Sequence, residues 1–117
     1  MSDRPILLLL KDIDDACSRI EQYVTGISYD DFIQNTMMKD AVERNIEIIG
    51  EACNKLSADF LTKHSEAEWH KAIGMRNRLI HGYFSVDLPL LWTTATTIVP
   101  GFKQQIEKLI ERYSSPS

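Results

Sequence analysis

The sequence predicts an all-α domain, an up-and-down bundle of four to five helices. The chain has 117 residues, 44% of them hydrophobic and 26% charged, which is typical of one globular domain. Five glycines and four prolines are too few turn formers for a many-stranded β domain. Apolar residues instead recur every three or four positions, with no alternating strand pattern and no internal repeat. We expect one domain over residues 1–113 and a flexible tail over residues 114–117.

The first helix is predicted from Arg4 to Val24. Its inner face is marked by apolar residues spaced three or four apart, which are Leu9, Ile13, Cys17, Ile20 and Val24. Gly26 can end this helix. Ser28 can then cap a short helical turn, with Asp31 in capping-box position. The residues of this turn that pack inward are Tyr29, Phe32 and Ile33.

The second helix is predicted from Met38 to Leu56, and residues 57–59 end it. Asn45 is the one polar residue on its inner stripe. Gly50 lies inside the helix, where glycine costs stability relative to alanine. A glycine at such a position allows another helix to approach closely.

The third helix is predicted from Glu66 to His81, with Ser65 as its N-cap and Gly82 as the residue that ends it. One face of this helix carries Trp69, Ala72, Ile73, Arg76 and Ile80.

The fourth helix is predicted to begin after Asp87, which can act as its N-cap, and it has Pro89 in its first turn. Pro100 is expected to break or kink this helix. Helical spacing then continues from Phe102 to Tyr113.

Charge is unevenly distributed along the chain. Residues 1–40 hold eight acidic and four basic side chains, residues 41–117 hold nine of each, and the net charge is −4. This balance argues against a protein that coats nucleic acid through a broad basic surface. Any anion site must therefore be local.

The two cysteines, Cys17 and Cys53, are predicted to be reduced thiols in the core, because a disulfide framework needs more pairs and a secretory signal. The apolar run at residues 6–10 is too short for a signal peptide or a membrane span. We expect a cytoplasmic protein that does not associate with membranes.

The sequence predicts no metal site and no cofactor. The three histidines, His64, His70 and His81, have no partner at zinc-ligand spacing, and there is no glycine-rich phosphate loop and no G-x-S-x-G. His64 and His70 are interpreted as surface residues. A Cys–His nucleophile pair is disfavoured because both cysteines occupy core positions.

The chemically informative segment is residues 74–83, with the sequence GMRNRLIHGY. It places a permanently charged side chain, Arg76, on an apolar helix face, and adds an amide (Asn77), a titratable ring (His81) and a phenol (Tyr83). Arg76 and Tyr83 lie about two helical turns apart, so both can line one rim of a cleft. Many helices also end with an arginine and a histidine that complement the helix dipole. The pattern alone does not decide between the rim of a cleft and a helix end whose positive side chains complement the dipole.

Arg76-x4-His81-x-Tyr83 resembles the R-x4-H-x-Y motif of HepT-like proteins in the HEPN superfamily. The similarity extends to other segments in the same order, which are residues 38–44, 48–52, 69–83, 84–87 and 91–92. It implies a helical homodimer that acts as a metal-independent ribonuclease toxin. It also implies a small nucleotidyltransferase antitoxin that adds AMP to the motif tyrosine, here Tyr83.

The residue chemistry is compatible with RNA cleavage. The 2′-hydroxyl of RNA can attack the adjacent phosphorus when a base, an acid for the leaving 5′-oxygen and a positive charge are present. His81 can serve either proton role, Arg76 can bind phosphate oxygens, and a two-fold dimer would supply two of each. Asn77 and Glu51 are candidate supporting residues, although each is also interpretable as a solvated helix side chain.

Two other interpretations stay open from the sequence. One is a non-catalytic helical module that holds a nucleotide or a nucleotidyltransferase partner. The other is a structural bundle with a charged turn. The presence of Arg76, His81 and Tyr83 together favours the ribonuclease.

Overall fold

The computed structural model describes residues 4–80 and 87–114, with side chains for residues 4–78 and 87–114. Every regular element in these ranges is helical: α1 (Ile6–Val24), α2 (Tyr29–Gln34), α3 (Thr36–Lys55), α4 (Ala58–Lys63), α5 (Trp69–Ile80), α6 (Leu88–Thr93), a π-helical turn (Thr94–Ile98) and α7 (Val99–Ser114). Helix α1 packs against α3 and α7, and α3 also packs against α5. The predicted all-α bundle is confirmed. None of the described helices is both long and apolar enough to cross a membrane.

Local capping signals position several helix starts as predicted. The Ser28 hydroxyl accepts a hydrogen bond from the Asp31 N–H at 3.1 Å, and the Asp87 carboxylate accepts one from the Leu90 N–H at 3.0 Å. Gly26 follows α1 with a φ of +79°, a backbone conformation that favours glycine. The apolar stripe of α1 is buried, as its spacing predicts: Leu9, Ile13, Cys17, Ile20 and Val24.

The polar residue on the inner stripe of α3 ties that helix to α1. Asn45 is buried, and its Oδ1 accepts a hydrogen bond from Nε of Arg19 at 2.7 Å. Its Nδ2 donates to the Ala41 carbonyl at 2.8 Å. Both ends of the amide are therefore satisfied, which is the usual condition for a buried polar group.

Helix α5 begins later than the predicted Glu66, and the prediction of Ser65 as its N-cap is wrong. The reason is a side chain from α7. Gln105 donates through Nε2 to the Glu66 carbonyl at 3.0 Å and accepts through Oε1 from the Glu68 N–H at 3.1 Å. These bonds satisfy backbone groups that would otherwise favour an earlier helix start.

A short helix, α4, occupies a segment that is predicted only to end the preceding helix. Ser57 caps it, because its hydroxyl accepts from the Phe60 N–H at 3.1 Å. Asp59 lies in the first turn, where a negative charge is favourable. The cap and this acidic residue are the sequence signals from which α4 could have been predicted.

The prediction that His64 lies at the surface is wrong, because its side chain is only 1% exposed. Its Nε2 lies 2.6 Å from Oη of Tyr113, and its ring packs against Phe60 with centroids 4.6 Å apart. Its backbone carbonyl accepts from the Trp69 indole N–H at 2.9 Å. This histidine cluster joins α4 to α5 and α7. His70 is exposed, as predicted.

Pro100 does not break the C-terminal helical run, because α6, the π-helical turn and α7 follow one another without a non-helical residue between them. The Val99 N–H donates to the Thr94 carbonyl, five residues earlier. A proline lacks the N–H of a normal helical residue, and its ring crowds the preceding turn. The wider π-helical turn, which ends two residues before Pro100, accommodates both effects.

Candidate functional site

Arg76 lies on α5, and its side chain packs against α3 at Gly50. A Cβ atom built at position 50 would lie 2.5 Å from Cβ and 2.6 Å from Cγ of Arg76. The two helices approach this closely only because glycine has no side chain. The expectation that Gly50 admits another helix is confirmed, and Arg76 is the residue that uses the space.

The Arg76 guanidinium retains hydrogen-bonding capacity within the described part of the chain. Its Nη1 donates to Oδ1 of Asn77 at 3.1 Å. Its Nε is buried and has no hydrogen-bond partner among residues 4–78 and 87–114. A guanidinium has five N–H donors, and the donors left over here suit an anion with several oxygens, such as a phosphate.

Asn77, a candidate supporting residue, lies beside the guanidinium. Its side chain is exposed, and the neighbouring Arg78 is exposed as well. The outer surface of α5 at this point therefore offers two arginines and an amide to solvent. That combination can bind a phosphate, although its positive charge covers only a short part of the helix.

Glu51, the other candidate supporting residue, points away from Arg76. Its carboxylate lies 3.8 Å from Nη1 of Arg44, its ion-pair partner in the described residues. It lines a cleft of about 220 Å³ between α1 and α3, whose other charged walls are Asp12, Asp15, Arg19 and Lys55. Its supporting role stays a prediction, because the structure does not bring Glu51 and Arg76 together.

Two carboxylates of α3 lie on the helix face that carries Gly50. Glu47 and Glu43 lie three and seven residues before Gly50, so all three positions share one face of the helix. Burial, together with the neighbouring charges of Asp40 and Glu47, raises the pKa of Glu43. Glu47 is held by an ion pair with Arg44, whose Nη1 lies 3.7 Å from its carboxylate.

The described residues favour neither a nucleophilic cysteine nor a metal-ion site. Burial raises the pKa of Cys17 and of Cys53 to about 12 in each case, so both are protonated thiols at neutral pH. The prediction that they are buried core thiols is confirmed. Residues 4–80 and 87–114 contain no group of three or more side chains that suits a metal ion.

Two predicted site residues, His81 and Tyr83, lie outside the described residues, as does Gly82. The backbone of α5 is described as far as Ile80. The catalytic role of His81 and the modification of Tyr83 therefore stay predictions from the sequence.

Comparison with known proteins agrees with the resemblance that residues 76–83 carry. The family model described as Ribonuclease HepT-like matches residues 13–109. A protein of Methanocaldococcus jannaschii named as a putative RNase is 38% identical over 107 residues, which cover 92% of this chain and 98% of the relative. A protein of Thermococcus cleftensis named as a probable ribonuclease HepT is 40% identical over 100 residues, which cover 86% and 91%. No solved structure matches the chain.

Proposed function

Because the chain belongs to the HepT-like ribonuclease family, we propose that it is a metal-independent endoribonuclease and the toxin of a toxin–antitoxin pair. Arg76 and His81 form the proposed site, with both subunits of a two-fold dimer contributing. Arg76 carries the proposal. It is a permanently charged side chain, half-buried against α3, and its one hydrogen bond within the described residues is to Asn77.

The proposed reaction uses the nucleophile that RNA itself provides. One copy of His81 removes the proton from the 2′-hydroxyl, whose oxygen attacks the adjacent phosphorus. The second copy of His81 protonates the leaving 5′-oxygen, so the products are a 2′,3′-cyclic phosphate and a 5′-hydroxyl. The Arg76 guanidinium binds the non-bridging oxygens as negative charge develops on the phosphorane. Asn77 orients the guanidinium through its side-chain oxygen.

Cleavage of a labelled single-stranded RNA by paired variants tests this mechanism. His81→Ala is expected to lose about 100-fold or more in rate, the usual contribution of a general acid or base. His70→Ala removes an exposed histidine of α5 and is expected to cleave normally. Arg76→Met keeps an apolar stem without the charge and is expected to be inactive, whereas Lys71→Met, which removes an exposed cation elsewhere on α5, retains most of the activity. EDTA is expected to have no effect.

The outcomes separate the alternatives. If His81→Ala cleaves as fast as the wild-type protein, the acid–base assignment is wrong. If the wild-type protein binds RNA or a nucleotidyltransferase but cleaves no RNA, the non-catalytic binding module replaces the ribonuclease. If sedimentation shows only monomer at micromolar concentration, a site shared between two subunits is excluded.

Neutralisation is proposed to occur at Tyr83. Its phenol oxygen attacks the α-phosphorus of ATP on a nucleotidyltransferase partner, pyrophosphate leaves, and the phenol proton passes to the partner enzyme. The attached AMP adds a bulky anion that competes with RNA for the guanidinium of Arg76. Intact-mass measurement after incubation with the partner and ATP is expected to show added AMP, which is lost in Tyr83→Phe and retained in Tyr23→Phe. A mass shift that persists in Tyr83→Phe places the modification elsewhere.

A further inference from the structure

We propose that Gly50 is a positioning residue for the Arg76 guanidinium. The missing side chain at position 50 leaves a notch in the surface of α3 that holds the Arg76 stem in one place. The consequence for catalysis rests on the proposed ribonuclease function, whereas the notch itself is a property of the fold.

The contact involves most of the Arg76 stem. A Cβ at position 50 would lie 2.5 Å from Cβ, 2.6 Å from Cγ and 3.1 Å from Cδ of Arg76. The first two distances are shorter than any ordinary carbon–carbon contact. The clash involves the atoms nearest the α5 backbone, so rotation of the far end of the arginine cannot relieve it. An alanine at position 50 must therefore move α5 or the whole Arg76 side chain.

The other helical glycines in the described residues do not allow a close contact of this kind. A Cβ built at Gly74 or at Gly101 meets nothing within 4 Å. Glycine is the weakest helix former after proline, and Gly50 lies inside α3, where no turn or cap requires it. The close packing of Arg76 supplies the physical reason for a glycine at this position.

Holding the stem fixes the direction of the charged group. The buried Nε of Arg76 has no hydrogen-bond partner in the described residues, and the one bond of the guanidinium there is to the exposed Asn77. Packing against α3 is therefore the main constraint on the stem. A free arginine side chain must lose rotational freedom to bind a phosphate. A displacement of about 1 Å at a catalytic group can cost about 100-fold in rate.

Two measurements on Gly50→Ala, with Gly74→Ala as the matched control, test the inference. The first is hydrogen exchange of the Arg76 Nε–H by NMR, with the signal assigned through Arg76→Lys. Burial of Nε slows this exchange, and loss of the notch is expected to accelerate it about tenfold or more in Gly50→Ala but not in Gly74→Ala. The second is RNA cleavage, in which Gly50→Ala is expected to lose about 10- to 100-fold in kcat with a smaller change in KM.

Each result decides a separate point. If Nε–H exchange is unchanged in Gly50→Ala, the notch does not hold the Arg76 stem and the inference is wrong. Faster exchange with wild-type kcat overturns the catalytic importance of the notch. If no form of the protein cleaves RNA, the proposed function fails, and the exchange comparison still decides whether Gly50 fixes the guanidinium.

A second variant covers the case in which Gly50→Ala does not fold. Arg76→Gly in the Gly50→Ala background removes the clashing stem and is expected to restore helicity by circular dichroism. If the double variant stays unfolded, the contact between these two residues is not the cause and the inference is wrong.

Discussion

The buried hydrogen bond between His64 and Tyr113 makes a quantitative prediction about stability. Oη of Tyr113 lies 2.6 Å from Nε2 of His64, whose side chain is 1% exposed. Nδ1 of the same ring has no hydrogen-bond partner among the described residues. Tyr113→Phe keeps the aromatic contact with Phe60 but removes the hydroxyl. The variant therefore leaves a buried imidazole without the one hydrogen bond that the described residues give it.

The expected loss follows from the cost of an unsatisfied buried polar group, which is about 1–3 kcal/mol. The Tyr113 side chain is 37% exposed, so water can partly replace the hydroxyl, and we expect the lower part of the range, about 1–2 kcal/mol. Unfolding entropy is about 2.1 cal/mol/K per residue, or about 0.25 kcal/mol/K for this chain. The melting temperature should fall by about 4–8 °C.

Urea titration and thermal melting followed by circular dichroism measure this change. Tyr23→Phe is the matched control, because Tyr23 is half-buried on α1 and its hydroxyl makes no hydrogen bond within the described residues. We expect the control to change the free energy of unfolding by less than about 0.5 kcal/mol. If Tyr113→Phe is as stable as the control, the hydrogen bond to His64 makes no net contribution and the reasoning fails.

Three further predictions concern the core and its titrating groups. Burial raises the pKa of Asp14 above its usual 3.8 despite the nearby Lys103. The folded state therefore binds the Asp14 proton more tightly than the unfolded state does, and the stabilisation that this bound proton provides is lost as the pH rises. The stability of Asp14→Asn relative to wild type should therefore increase between pH 3 and about pH 6 in urea titrations, and a decrease would contradict the sign. Cys17 and Cys53 should react with a thiol reagent at about pH 8, close to the ordinary thiol pKa of about 8.5, only after unfolding, because both thiols are buried. Rapid labelling of the native protein would show that they are accessible. Phe32 is fully buried, and Phe32→Ala should lower the free energy of unfolding by about 3–5 kcal/mol, whereas a loss under about 1 kcal/mol would show that the site is not close-packed.

Local signals were sufficient to predict most helices. The three- and four-residue spacing of apolar side chains predicts which face of each helix is buried, because helical geometry repeats within one turn. The caps at Ser28 and Asp87 also act within three residues of the backbone groups they bind. The start of α5 and the burial of His64 were mispredicted, because they depend on Gln105 and Tyr113, which lie far along the chain on α7.

The sequence by itself determined the all-α class, the caps and the presence of an arginine on the apolar face of one helix and a glycine inside another. It also carried the family resemblance through residues 76–83. Only the tertiary structure decided that Gly50 and Arg76 meet, and that Glu51 lies apart from Arg76. Periodicity determines the direction of a side chain around its own helix, but the rotation and separation of two packed helices depend on the side chains of the whole interface.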